Sequence, residues 1–260
     1  MLEPLQYLLG AASGTLVGFT LGLVGGGGSI LAVPLMVYLV GVPNPHVAIG
    51  TSALAVAANA GAGLAGHARG GTVKWRCGGM YAAAGVAGAL AGSTLGKAFD
   101  GQQLLALFAL LMMAVGVLML RKRGAEDRPD VQCNRVNAPK VVGFGLGTGA
   151  FSGFFGIGGG FLIVPGLVAS TGMPMINAVG TSLIAVTAFG LTTALNYAAS
   201  GLIDWPLAGV FVAGGVVGGL AGTGAARRLA ARGILNRAFA LLIFAVAAYM
   251  LWRSAIALGA

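Results

Sequence analysis

The residues best placed to do chemistry are two runs of bare backbone. Gly25, Gly26, Gly27, Gly28 and Ser29 lead to Pro34, and Gly156, Gly158, Gly159 and Gly160 lead to Pro165, both within apolar sequence. Adjacent glycines cost about 1 kcal/mol each relative to Ala in a helix. They also let another group approach the peptide N–H closely. Each tract precedes a further apolar run, starting near Ser29 and near Phe161. A helix start carries unpaired N–H groups and about half a positive charge. Two such starts facing each other would hold an anion. The plainer reading is that the glycines only permit close helix packing.

Hydroxyl and amide groups follow each tract. Thr51 and Ser52 lie about a turn into the third apolar segment, and Thr181 and Ser182 into its second-half counterpart. Their hydroxyls could donate to an oxyanion, or bond to their own helix backbone. Asn59, deeper in the first half, is an uncharged donor; as glue between helices it would need no ligand. His67 and Arg69 end the same segment, where they could attract an anion to a cytoplasmic mouth, although interfacial placement accounts for both. Neither tract is followed by Gly-Lys-Ser/Thr or preceded by a strand, so a nucleotide loop is not expected.

The elements that must position these groups are membrane helices. The chain has 260 residues, 57% hydrophobic and 8% charged, where a soluble domain carries about 25% charged residues. Its mean hydropathy is +0.92. Apolar segments fall at 5–24, 29–41, 46–67, 76–97, 102–120, 141–155, 160–171, 177–199, 206–226 and 234–257. None alternates with period 2, which argues against a β-barrel. Segments 29–41 and 160–171 are too short for a hydrocarbon core about 30 Å thick and read as half-helices.

The two halves repeat. Gly14, Gly18, Gly22, Gly25 and Pro34 align with Gly145, Gly149, Gly153, Gly156 and Pro165. Gly50, Thr51, Ser52, Trp75, Gly85, Gly88 and Gly92 align with Gly180, Thr181, Ser182, Trp205, Gly215, Gly218 and Gly222 after one residue is dropped. This is the pattern of a duplication. Charge gives the orientation. With loops 67–76, 121–140 and 227–237 in the cytoplasm, 13 of the 15 Lys and Arg lie there, leaving Lys97 and Arg253 opposite. The positive-inside rule then makes the repeats inverted and puts both termini in the periplasm. The expected fold is an all-α polytopic membrane protein of two inverted-topology repeats, each a glycine-broken helix pair plus three further transmembrane helices. The first repeat covers 1–120, a cytoplasmic linker 121–140, and the second repeat 141–260.

Several classes are excluded or made unnecessary. No Asp, Glu, Lys or Arg lies well inside any segment, so the buried carboxylate of many proton- or sodium-coupled carriers has no counterpart. There is no buried catalytic pair, which argues against an enzyme, and no metal or other cofactor is expected. Cys77 and Cys133 lack metal-ligand spacing and make no disulfide framework, so both are expected as free thiols. The basic residues gather in short loops, as orientation requires, so nucleic acid is not an expected partner. No Lys or Arg precedes the first apolar run, which does not resemble a cleaved signal peptide.

With its duplicated glycine tract, proline and Gly-Thr-Ser, the chain resembles the TauE/SafE sulfite exporter family, also called the toluene-sulfonate uptake permease family. The likeness covers all but the linker. It implies movement of sulfur-containing anions such as sulfite or sulfoacetate across the bacterial inner membrane, in some members by uptake. The leading expectation is an exporter whose anion sits near the midplane on the tract N–H groups, with Thr51, Ser52, Thr181 and Ser182 lining the site. A passive anion channel, an uptake permease and a non-transporting assembly subunit are the alternatives. The partners are a small anion and the lipid bilayer, and a homodimer is compatible with both.

Overall fold

The computed structural model describes residues 3–121, 133, 137–156, 160–229, 244 and 246–252. All secondary structure among them is helical. The main helices are α1 (Pro4–Val24), α2 (Ala32–Pro34), α3 (Pro45–Arg69), α4 (Trp75–Lys97), α5 (Gly101–Arg121), α6 (Ala138–Phe155), α7 (Gly160–Thr171), α8 (Met175–Ala198) and α9 (Trp205–Leu229). Short 3-10 (Gly25–Leu31) and π-helical (Leu35–Leu39) stretches flank α2. Among the described residues, Pro45–Arg69, Met175–Ala198 and Trp205–Ala225 are long and apolar enough to cross a membrane. At 1.5 Å per residue, α3 and α8 are each about 36 Å long. Most of the expected 234–257 segment lies outside the described residues; within it Ala247 and Met250 are buried.

Glycine stripes set the packing. Gly14, Gly18 and Gly22 of α1 meet Phe211, Gly215 and Gly219 of α9 backbone to backbone. The aligned glycines of the second half do the same: Gly145, Gly149 and Gly153 of α6 meet Tyr81, Gly85 and Ala89 of α4. Residue numbers rise together in each pair, so α1 runs parallel to α9 and α6 to α4. Small residues every fourth position let the backbones touch, which replaces side-chain burial as the source of helix association in lipid. Each pack joins one helix from each half of the chain.

Between the packs lie α3 and α8. Ala53 and Ala57 face Gly190, Gly63 faces Leu183, and Gly180 faces His67 and Thr72, so these two helices are antiparallel. The bundle therefore has two ends. At one, α4 starts at Trp75, α8 starts, and α3 finishes. At the other, α9 starts at Trp205, α3 starts, and α8 finishes. Trp75 and Trp205 are both exposed, as expected of interfacial anchors.

The broken helix pairs are hairpins that enter and leave at one end. Gln6 Nε2 donates to the Val40 carbonyl (3.0 Å), tying the start of α1 to the end of its return segment at the Trp205 end. The second pair, α6 and α7, starts beside α4 and leads into α8 at the Trp75 end. All six positive-φ glycines among the described residues form aligned pairs: Gly25 with Gly156, Gly41 with Gly172, and Gly71 with Gly201. The left-handed turns, where a side chain would be strained, are thus duplicated with the sequence.

One expectation is corrected. Cys77 and Cys133, expected as free thiols, are paired in this structure as a disulfide, with Cα atoms 5.4 Å apart. Both are buried. The sequence separation of 56 positions hid a proximity that only the folded chain creates.

Candidate functional site

The two glycine tracts meet in the interior. At the end of α1, Gly25 turns the chain at φ 68°, where a Cβ would lie 2.7 Å from Val179 Cγ1. Gly156 does the same for α6 at φ 67°, against Ile49, the residue aligned with Val179. After each turn the chain reverses, and Gly26 packs on Gly160. A Cβ on Gly26 would come 2.6 Å from Gly160 Cα, and one on Gly160 would overlap the Gly26 carbonyl. Gly158 and Gly159 lie outside the described residues.

The return from the first tract differs from the expected half-helix beginning near Ser29. Gly25, Gly26, Gly27, Gly28, Ser29, Ile30 and Leu31 wind as one buried 3-10 helix. Bare glycines permit this tighter coil, and 3-10 turns are common at helix ends. Pro34 lacks an N–H, and the π-helical turn follows it directly, with Val40 N–H donating to the Leu35 carbonyl (2.9 Å). Gly28 packs on Thr20 and Leu21, so its missing side chain seats the return on α1.

Polar groups on the tract are already paired. Gly26 N–H donates to Ser182 Oγ (3.3 Å), whose own O–H donates to the Val179 carbonyl (2.7 Å). Ser29 Oγ donates to the Gly26 carbonyl (2.9 Å). Ser52 Oγ donates to the Ile49 carbonyl (3.0 Å), mirroring Ser182 on Val179. A ligand reaching the Gly26 N–H must take the place of Ser182 Oγ.

The neighbouring threonines point elsewhere. Thr181 Oγ1 accepts from the Lys74 N–H (2.9 Å) and Thr51 Oγ1 from the Asp204 N–H (3.0 Å). They sit at opposite ends of the bundle, so of the four hydroxyl residues only Ser182 is bonded to the described tract backbone.

Asn59 is the buried polar group with the plainest deficit. It is 5% exposed, and neither its Oδ1 nor its Nδ2 has a hydrogen-bond partner. It packs over Gly215, where a Cβ would overlap its amide. The aligned position holds Phe189, packed over Gly85 in the same way. Burying an unpaired amide is costly, so this position is polar in one half and apolar in the other against packing preference.

The sequence profile named Sulfite exporter TauE/SafE matches residues 10–250. The chain belongs to the TauE/SafE family. It is 55% identical over 249 residues to a probable membrane transporter protein of Xylella fastidiosa (strain 9a5c), covering 93% of this chain and 94% of that one. The probable membrane transporter protein YunE of Bacillus subtilis (strain 168) is 24% identical over 252 residues, covering 89% and 92%. No solved structure matches the chain significantly. This TauE/SafE protein is a membrane transporter, not an enzyme.

At the two ends of this transporter the charge differs. Arg69, Lys74, Arg76 and Lys140 lie at the Trp75 end, where His67 is buried with Nδ1 3.0 Å from Thr72 Oγ1. Asn177 Nδ2 donates to the Thr72 carbonyl there (2.9 Å). At the Trp205 end stand Glu3, Asp100, Asp204 and Lys97. Lys97 Nζ donates to Asn196 Oδ1 (2.8 Å), the Asn196 carbonyl (3.1 Å) and Ser200 Oγ (2.8 Å), and lies over the Tyr197 ring. Asn177 carried no signal in the sequence, and neither did the bonding of Lys97 to Asn196. Lys97 and Asn196 are 99 positions apart, and no motif links them.

Proposed function

We propose that this TauE/SafE transporter is a carrier that exports a sulfur-containing oxyanion, sulfite or an organosulfonate such as sulfoacetate, across the inner membrane. The observation that carries the reading is the contact of Gly26 with Gly160 at the tips of two hairpins entering from opposite ends. The anion head displaces Ser182 Oγ from the Gly26 N–H and takes the unpaired Asn59 amide as a second donor. Preorganised N–H donors in a low-dielectric interior favour an oxyanion without a buried cation. Ser29, Ser52 and Gly160 complete the lining.

The antiparallel course of α3 and α8 supports inverted repeats, and the basic Trp75 end is the cytoplasmic one by the positive-inside rule. Both termini are then periplasmic. An inside-negative potential drives anions outward by about 2.3 kcal/mol per charge per 100 mV, so export requires no coupling ion. The interlocked glycine stripes bind α1 to α9 and α4 to α6. The bodies that move are these packs rather than the sequence halves.

Tract-on-tract closure favours a carrier over a channel. Proteoliposomes preloaded with unlabelled sulfite or sulfoacetate test this. Saturable uptake of the labelled anion with counterflow is expected. Conduction without counterflow means a channel, and no flux of either anion refutes the substrate class.

A further inference from the structure

We propose that Thr51 and Thr181 are a matched pair of latches, one closing each end of the transporter, rather than ligands of the anion. The inference rests on the carrier reading. Each threonine lies on the central α3–α8 pair and is fully buried. Each hydroxyl oxygen accepts the N–H that heads a helix of a flanking pack. Thr181 holds Lys74, the residue before α4, at 2.9 Å at the Trp75 end. Thr51 holds Asp204, the residue before α9, at 3.0 Å at the Trp205 end. Lys74 and Asp204 are aligned positions, as are the threonines, so one bond has been duplicated.

The chemistry fits a latch better than a binding site. Helix starts leave N–H groups without intrahelical partners, and neither the Lys74 nor the Asp204 N–H has one in its own helix. A threonine from across the interface supplies the acceptor. Moving either flanking pack away from α3–α8 at its end breaks that bond first, and exposes the N–H to water that can replace it. The cost of opening is therefore small.

The two ends are not held equally. At the Trp75 end the neutral Asn177–Thr72 bond is the companion to Thr181. At the Trp205 end, Lys97 ties the C-terminus of α4 to that of α8 through three oxygens. An ammonium has three N–H donors, so these contacts saturate it. Lys97 is a pivot for α4, and release of Thr181 swings the opposite end of that helix.

The test uses the full chain with C77S and C133S and one reporter cysteine, A178C or A48C. These aligned positions are fully buried and lie one turn before Thr181 and Thr51. Labelling by a membrane-impermeant maleimide is compared from each side of the membrane. T181V is expected to raise labelling of A178C about fivefold from the Trp75 side, the population shift of one hydrogen bond of ordinary net strength, and to leave A48C unchanged. T51V is expected to do the reverse at the Trp205 side. T181S and T51S keep the acceptor and restore wild-type labelling. Equal increases at both reporters, or none, overturn the latches. The assay uses no substrate: sided responses without sulfite or sulfoacetate flux keep the latches and refute the substrate class. Flux without sided responses does the opposite.

Discussion

The Gly26 carbonyl occupies the space where a side chain on Gly160 would begin. Two chain reversals, 134 positions apart by number, meet through bare backbone at the tips of hairpins that come from opposite ends. A methyl group on either residue must push the hairpins apart, since the obstacle is main chain rather than a flexible side chain. G26A and G160A are therefore expected to cut counterflow at least tenfold and lower thermal stability in detergent. G147A is the control: nothing lies within 4 Å of a Cβ there. It is expected to keep full flux with stability unchanged or raised by up to about 1 kcal/mol, the helix propensity gain of Ala over Gly. Equal behaviour of the three variants would refute the contact's role.

Asn59 sets stability against function. Its amide is buried without a partner, a burden of about 1–3 kcal/mol by mutational estimates. N59L removes the polar atoms while keeping the volume similar. The expected result is a higher melting temperature in detergent together with a several-fold weaker apparent affinity for sulfite or sulfoacetate. Loss of stability with unchanged affinity would make Asn59 a structural residue.

Much of this architecture was legible because duplication wrote it twice. The glycine pattern located the helix breaks, and the segment 160–171 coincides with α7, Gly160–Thr171. Trp75 and Trp205 marked the first residues of α4 and α9. The stripes Gly14, Gly18, Gly22 and Gly145, Gly149, Gly153 signalled close packing, but not against which helix. Spacing within a helix reports a face and says nothing of its partner. For the same reason Thr51 and Thr181 could be read as hydroxyls near a binding site, but not as acceptors of the Asp204 and Lys74 N–H groups. Side-chain type gives capacity, and only the fold gives direction. The 3-10 course of Gly25–Leu31 was hidden because glycine permits many backbone paths and announces none.

The disulfide provides a check on orientation. Cys77 and Cys133 join the start of α4 to the basic linker, at the end assigned to the cytoplasm, where thiols are kept reduced. Cells quenched in acid and alkylated before lysis are expected to yield both cysteines as free, alkylated thiols. Protein purified in air is expected to carry the bond, and C77S to lower its melting temperature only in the absence of reductant. A bond that survives the quench would place the Trp75 end on the oxidising side and reverse the orientation.

Direct labelling tests the orientation independently. Gly70 and Ala199 are exposed residues at the C-terminal ends of α3 and α8, and those ends lie at opposite ends of the bundle. In the C77S/C133S background, G70C is expected to react with an impermeant maleimide only in inverted vesicles, and A199C only in intact spheroplasts. Two facts bear on the outcome: α3 and α8 are antiparallel, and basic residues concentrate where α3 finishes. The first predicts that the two reporters never react from the same side. The second predicts which side each takes. Reaction of both from one side would contradict a membrane-spanning α3–α8 pair. A simple exchange of sides would keep the fold and overturn the charge rule, and with it the export direction inferred from the inside-negative potential.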